Sequence, residues 1–187
     1  MRLAVIIGST RNGRFGPTVA HWLAKQAAKQ FDVDLVDLAA ADLPSTLPDT
    51  DDPTPAEVAV LAPRLATADA FAVVTPEYNS SFPAPLKTAL DWYYEEWHAK
   101  PVAIVSYGRE TGGRYAAAQL RQVFTELQAV SIRNTIALPC YWEQFTGDGD
   151  WPRASAGYEA EAKTMLDQLV WWAQALRDAR TKRPYQQ

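Results

Sequence analysis

Short runs of apolar residues alternate along this chain with longer stretches in which apolar positions recur every three or four residues. Leu3-Ala4-Val5-Ile6-Ile7 is continuously apolar and stops at Gly8-Ser9-Thr10, the pattern of a strand buried on both faces. Gly16-Pro17 opens a helical stretch, where proline suits the first turn because its missing N–H would have no partner there. Val19, Leu23 and Ala27 repeat at helical spacing, with Lys25, Gln26 and Lys29 off that stripe. Val33 to Leu38 alternates apolar and acidic residues and predicts a second, less buried strand. Residues 39–55 hold prolines and aspartates but no basic residue and read as a solvated acidic loop. It ends in Thr54-Pro55-Ala56-Glu57, the spacing of a capping box with proline at the first helical position, which predicts a helix to about Thr67. Ala70 to Thr75, Pro101 to Tyr107 and Ile132 to Leu138 predict three further strands, the last broken near Arg133-Asn134. Helices are expected from Pro83 to about Trp97, from Gly112-Gly113 to about Ala129, and from Ser155 to about Ala179. The last carries Met165, Leu169, Trp172 and Leu176 on one stripe. Residues 143–157 are rich in Gly, Asp and Trp and read as a surface loop.

Five strand–helix units in succession predict an α/β fold, a doubly wound parallel sheet with helices on both faces. Without an internal repeat or linker, residues 1–187 read as one domain, its basic end from about residue 180 a mobile tail. Hydrophobic residues at 48% and charged residues at 21% exclude a disordered chain, which could not bury enough apolar area to offset its ordering entropy. Eighteen Lys plus Arg against 22 Asp plus Glu leave a net charge of −4, with no global attraction to nucleic acid or to an anionic membrane. The first apolar run is too short for a signal peptide or a membrane span, and the lone Cys140 fits a reducing compartment, so a cytoplasmic protein is expected. Neither His21 nor His98 has a second ligand at metal-binding spacing, and no metal site is expected.

Ligands of open parallel sheets bind beyond the carboxyl ends of the strands, which directs attention to the loops after strands one, three and four. The first, Gly8-Ser9-Thr10-Arg11-Asn12-Gly13-Arg14-Phe15-Gly16-Pro17-Thr18, leads into a helix N-terminus, where unpaired N–H groups and the helix dipole favour a phosphate. Ser9, Thr10 and Thr18 add hydroxyls, and Arg11 and Arg14 could add charge-assisted bonds. The same residues also suit a plain strand–helix turn with solvated arginines. The dinucleotide pattern G-x-G-x-x-G is absent. The triphosphate loop G-x-x-x-x-G-K-[ST] fits Gly8 to Gly13, but Arg14 replaces its lysine and Phe15 its Mg²⁺-binding hydroxyl, which favours a metal-free monophosphate site. The second loop runs from Thr75 to Lys87, with Pro76, Glu77, Tyr78 and Asn79 offering backbone groups, a ring and an amide to a planar heterocycle, or merely packing. The third, Ser106 to Gly113, lets backbone approach a flat ligand closely because its glycines carry no side chain.

Taken together, Gly8-Ser9-x-Arg11, Pro76-Glu77-Tyr78-Asn79 with Leu86-Lys87-x-Ala89-x-Asp91-Trp92, and Ser106-x-Gly108-x-x-x-Gly112-Gly113 resemble the three signatures of the NADPH-dependent FMN reductase family. The resemblance covers roughly residues 1–140. It implies a flavodoxin-like, five-stranded parallel sheet of order 2-1-3-4-5 with FMN at its carboxyl edge. It further implies that NADPH, or NADH, reduces the flavin, which passes the electrons to a flavin, quinone or similar small acceptor. The chain would act as a homodimer or homotetramer with the site near the subunit interface. By the same resemblance, Ser9 and Arg11 would hold the FMN phosphate, with backbone around Phe15, Gly16, Pro17 and Thr18 completing the cradle. Pro76, Glu77, Tyr78 and Asn79 would line the isoalloxazine, and Ser106, Tyr107, Gly108, Gly112 and Gly113 would border its pyrimidine side. Many members carry a small hydroxyl residue where this chain has Arg14, which leaves Arg14 to the phosphate, to incoming NADPH or to solvent. No catalytic side chain is expected, because the flavin carries the chemistry. Glu77 and Tyr78 are the side chains expected to alter the acceptor reaction. A flavodoxin-like electron carrier without NAD(P)H turnover is the alternative. Part of Trp92-Tyr93-Tyr94-Glu95-Glu96-Trp97 is expected to cover a dimer interface, and Trp142, Trp151 and Tyr158 could shape the acceptor pocket.

Overall fold

A computed structural model of the protein describes residues 1–49, 52–145 and 150–185. The strands are β1 (Arg2–Ile7), β2 (Asp32–Asp37), β3 (Ala70–Pro76), β4 (Pro101–Gly108) and β5 (Val130–Pro139). The helices are α1 (Gly16–Ala27), α2 (Leu38–Ala41), α3 (Ala56–Ala66), α4 (Ala84–Trp92), α5 (Arg114–Glu126) and α6 (Ser155–Lys182). All strand pairs are parallel, and the sheet order is β2-β1-β3-β4-β5, as the resemblance implied.

The period-2 alternation of strand side chains divides the core into two layers. Leu3, Val5, Ile7, Ala72, Val74, Ala103 and Val105 point to the face covered by α1 and α6. Ala4, Ile6, Phe71, Val73, Val102 and Ile104 point to the face covered by α3, α4 and α5. Because both faces are covered, β1, β3 and β4 are almost wholly apolar, with Thr75 and Ser106 as buried exceptions at their carboxyl ends, whereas β2 at the edge alternates half-buried aspartates with apolar residues.

Several local expectations change. Pro55, not Thr54, sits at the N-cap of α3, and no side chain caps that helix, so the capping box does not form. The acidic loop contains α2, one turn capped by Asp37 through the Ala39 N–H at 3.0 Å. Helix α4 stops at Trp92 because Tyr93 is extended; Trp97 then turns back to donate its indole N–H to the Tyr93 carbonyl at 2.8 Å. Tyr93 and Trp97 are 2% and 1% exposed, so most of the aromatic run packs on the sheet; only Tyr94 is fully at the surface. The break near Arg133-Asn134 is a bulge within a continuous β5. Val102 pairs with Ser131 and Ile104 with Thr135, leaving Ile132, Arg133 and Asn134 opposite Ala103. Arg121 donates to the carbonyls of Ile132 and Arg133, and Gln168 accepts from the Asn134 N–H. Helix α6 continues through residues 180–182, and beyond it the Tyr185 hydroxyl donates to Gln128 at 2.7 Å; Gln186 and Gln187 lie outside the described residues. Among the described residues, no helix is long and apolar enough to cross a membrane.

Candidate active site

The strand register brings the three loops together. Ile7 pairs with Val74, Thr75 with Ser106 and Pro76 with Tyr107, so β1, β3 and β4 end at one edge. Gly8 N–H donates to Val74 carbonyl at 2.9 Å and Glu77 N–H to Tyr107 carbonyl at 3.0 Å, stitching the loops where they leave the sheet.

In the first loop Ser9 is fully buried, and its Oγ has no hydrogen-bond partner among the described residues. It lies beside the Tyr107 hydroxyl without completing a bond of ordinary geometry. Burial pushes the Tyr107 phenol well above its usual range, against a smaller lowering from Ser9. A Cβ on Gly16 would stand 2.3 Å from Ser9 Oγ and 3.2 Å from the Tyr107 hydroxyl, so only glycine fits there. Phe15 caps α1 through its carbonyl, which accepts from the Thr18 N–H at 3.1 Å, but it supplies no side-chain acceptor at the positive end of the helix. Arg14 is committed to a neighbour: its guanidinium forks onto Asp37 at 2.6 and 2.7 Å and donates to the Ser9 carbonyl at 3.0 Å. Those bonds hold the Asp37 carboxyl below the ordinary carboxylate range. Arg14 therefore ties the loop to the end of β2 while it also faces the cleft between the loops. Arg11 is exposed, its guanidinium 5.6 Å from the centre of the Tyr78 ring.

The second loop closes on itself. Tyr78 N–H donates to Ser81 carbonyl at 2.8 Å and Ser81 N–H to Tyr78 carbonyl at 2.9 Å, while Asn79 and Ser80 have φ of 49° and 62°. Positive φ at both central positions is the type I′ turn, and asparagine is among the few residues that enter it readily. Asn79 is exposed and serves this turn. Gln119 of α5 pins the turn, donating to Ser80 carbonyl at 2.8 Å and accepting from Ser81 Oγ at 2.6 Å. In the third loop Ser106 Oγ donates to Gly112 carbonyl at 2.9 Å, and Gly112 and Gly113 hold φ of 62° and 85°.

Between the loops lies a cleft of about 250 Å³. Arg11, Arg14, Phe15, Pro76, Glu77, Tyr78, Tyr107 and Gly108 line it, together with Arg109, Tyr141 and Trp142. Ser9, Gly16, Pro17, Thr18, Asn79, Ser106, Gly112 and Gly113 are not on its wall; they shape the loops that form it. Arg109, which the third loop offered as a reader of the NADPH 2′-phosphate, is on the wall; Tyr141 is a wall residue the sequence did not single out. Tyr141 follows β5, an outer strand of the sheet, and every parallel strand delivers its C-terminal residues to the same edge. Phe15 stacks within 4.6 Å of Tyr141, and Trp151 stands edge-on to Phe15 at 5.3 Å and to Trp22 at 5.6 Å. Trp151 thus supports the cleft from behind rather than lining it, and Tyr158 packs partly buried against the core beneath α1 and α6. A wider groove of about 750 Å³ between Tyr94, Lys100 and Arg180 contains none of the three loops.

These features fit FMN: an orphaned buried hydroxyl and a helix N-terminus without a side-chain cap for the phosphate, and a cleft walled by rings and backbone for a planar system. The model of the NADPH-dependent FMN reductase family matches residues 1–143. An NAD(P)H-dependent FMN reductase of Schizosaccharomyces pombe is 37% identical over 150 residues, 74% of each chain. A 2-hydroxy-1,4-benzoquinone reductase of a Burkholderia species is 32% identical over 179 residues, 92% of this chain and 96% of that one. The structure of FerB, a flavoenzyme NAD(P)H:(acceptor) oxidoreductase from Paracoccus denitrificans, superposes with a TM-score of 0.77 at 26% identity, covering 93% and 97% of the two chains. On the sheet order, the three loops and these likenesses together, the chain belongs to the NADPH-dependent FMN reductase family.

Proposed function

We propose that this enzyme uses NAD(P)H to reduce a small quinone or flavin acceptor through FMN held in the three-loop cleft, each substrate taking its turn at one open face. The observation that carries this reading is the buried, unpartnered Ser9 Oγ at the N-terminus of α1, which no side chain caps. FMN, when bound, supplies a hydride acceptor at its N5 atom. Ser9, Arg11 and the first turn of α1 would hold its phosphate, through charge-assisted bonds and the helix dipole. Backbone N–H groups of the third loop would face the pyrimidine side and stabilise the negative charge that reduction brings there. Tyr78, Tyr141 and Trp142 would exclude water and leave room for one planar partner at a time. Quinone is the favoured acceptor, since the Burkholderia relative spans nearly the whole chain. We read the protein as cytoplasmic and as a homodimer or homotetramer. Its exposed aromatics near the cleft, Tyr115 and Trp142, at 55% and 46% exposure, are the surfaces a second copy would cover.

Anaerobic titration of FMN-loaded protein with NADPH, then NADH, tests the reading. Rapid bleaching of the flavin band, restored by a quinone, is expected; a flavin that binds but stays oxidised would instead mark an electron carrier. Arg11→Ala is expected to weaken FMN binding by about tenfold, the loss of one charge-assisted contact, with the far-ultraviolet spectrum unchanged. An unaltered dissociation constant in a fluorescence titration would remove Arg11 from the phosphate site.

A further inference from the structure

Helix α5 begins without a cap of its own. Its N-cap residue is Gly113, which has no side chain to accept from the first-turn N–H groups. No other residue fits there: φ is 85°, and a Cβ would meet Ser106 Cβ at 2.7 Å and Tyr107 N at 2.9 Å. The missing acceptor comes from a different loop. Glu77 Oε2 accepts from the Tyr115 N–H at 3.0 Å, and its Oε1 accepts from Thr111 Oγ1 at 3.2 Å. Thr111 Oγ1 in turn lies 3.4 Å from the Gly113 N–H. The Glu77 backbone is itself fixed, donating to the Tyr107 carbonyl. One carboxylate therefore joins the second loop, the third loop and the start of α5, with its charge at the positive end of the helix.

We propose that Glu77 is a positioning residue: it caps α5 from across the cleft and holds the Thr111-Gly112-Gly113 backbone where that loop meets the cofactor. This assignment rests on the FMN reading above. It departs from the expectation that the Glu77 side chain acts on the acceptor, because one carboxylate oxygen is taken by Thr111 of the third loop and the other by the Tyr115 N–H of α5. Conformation, rather than charge at the flavin, is what the side chain supplies. A glutamine, whose amide oxygen can still accept from Tyr115 N–H and whose amide group can donate to Thr111 Oγ1, should substitute for it.

Two readouts separate this role from a general loss of structure. Hydrogen exchange is followed at the Tyr115 amide in the full-length FMN-free protein, and the FMN dissociation constant is measured by fluorescence titration. Glu77→Ala is expected to speed exchange at Tyr115 and to weaken FMN binding by about tenfold. Glu77→Gln is expected to restore both to within about threefold of wild type. Thr111→Val, which removes one of the two contacts, should fall between them. An Ala variant with a protected Tyr115 amide and unchanged FMN affinity would overturn the proposal. So would a Gln variant as impaired as Ala, since that would assign the effect to charge. If the wild-type protein takes up no FMN, the cofactor reading fails, and the exchange experiment still decides whether Glu77 holds the loop.

Discussion

Alanine at position 113 will lower the melting temperature by roughly 10 °C and abolish FMN retention. The cost has two parts. A non-glycine residue at φ 85° pays backbone strain of about 1–2 kcal/mol. The added methyl would also sit 2.7 Å from Ser106 Cβ and 2.9 Å from the Tyr107 nitrogen, both inside the sheet edge and unable to yield cheaply. Together these amount to about 3 kcal/mol or more, and relief requires moving the loop that forms the cofactor's edge. Gly13 is the control. Its φ is 65°, yet nothing lies within 4 Å of its Cβ position, so Gly13→Ala should cost only the backbone strain, about 1 kcal/mol. Thermal melts and FMN titrations of the two variants give the comparison. Equal losses would show that crowding at Gly113 is not what matters.

Gly113 also illustrates what the chain discloses on its own. The third loop was legible because Gly112-Gly113 between a strand and a helix signals backbone that no side chain may occupy. The strands were legible because β1, β3 and β4 are buried on both faces and therefore almost continuously apolar. What stayed hidden depends on distant partners. Arg14 and Asp37 are 23 residues apart, and nothing in either segment indicates that the arginine of one loop will fork onto the carboxylate ending β2. Asn79 looked like a ligand because an amide at a sheet edge suits a heterocycle; its φ of 49° shows that the turn uses it first. Glu77 reads in sequence as a side chain for the acceptor; that its carboxylate takes the Tyr115 N–H depends on Gly113, 36 residues on, offering no cap of its own. Tyr93 and Trp97 looked like surplus aromatics, but the extended Tyr93 folds the chain back and sends Trp97 against Phe71, with ring centres 4.6 Å apart. Periodicity reports which face of an element is buried. It does not report which loop supplies another loop's missing hydrogen bond.

At the opposite edge of the sheet, Lys100 will make the protein more stable, relative to a Lys100→Met variant, as the pH rises from about 8 to about 10.5. Lys100 is 6% exposed and donates to the last carbonyls of α3, Leu65 at 3.0 Å and Ala66 at 2.8 Å. Burial, helped by the charge of Arg180, brings its pKa from 10.5 down to about 8, against opposing pulls from Glu96 and Asp69. Below pH 8 the folded and unfolded chains both carry the proton, and stability does not change on this account. Between about 8 and 10.5 the unfolded chain holds a proton that the folded one has released, so the unfolding free energy climbs with pH. The full gain is on the order of 3 kcal/mol at the upper end. The neutral amine keeps two N–H donors for the two carbonyls, so releasing the proton need not break either hydrogen bond. The sign is diagnostic because buried tyrosines act the other way. Burial raises Tyr93 to about 12, so stability from that phenol is lost as the pH passes from 10 toward 12. Subtracting the Lys100→Met curve from the wild-type curve, by urea unfolding at half-unit pH steps, cancels the tyrosines and leaves the lysine alone. Parallel curves would mean that Lys100 keeps its proton and that the carbonyls of α3 stabilise the ammonium more than burial penalises it.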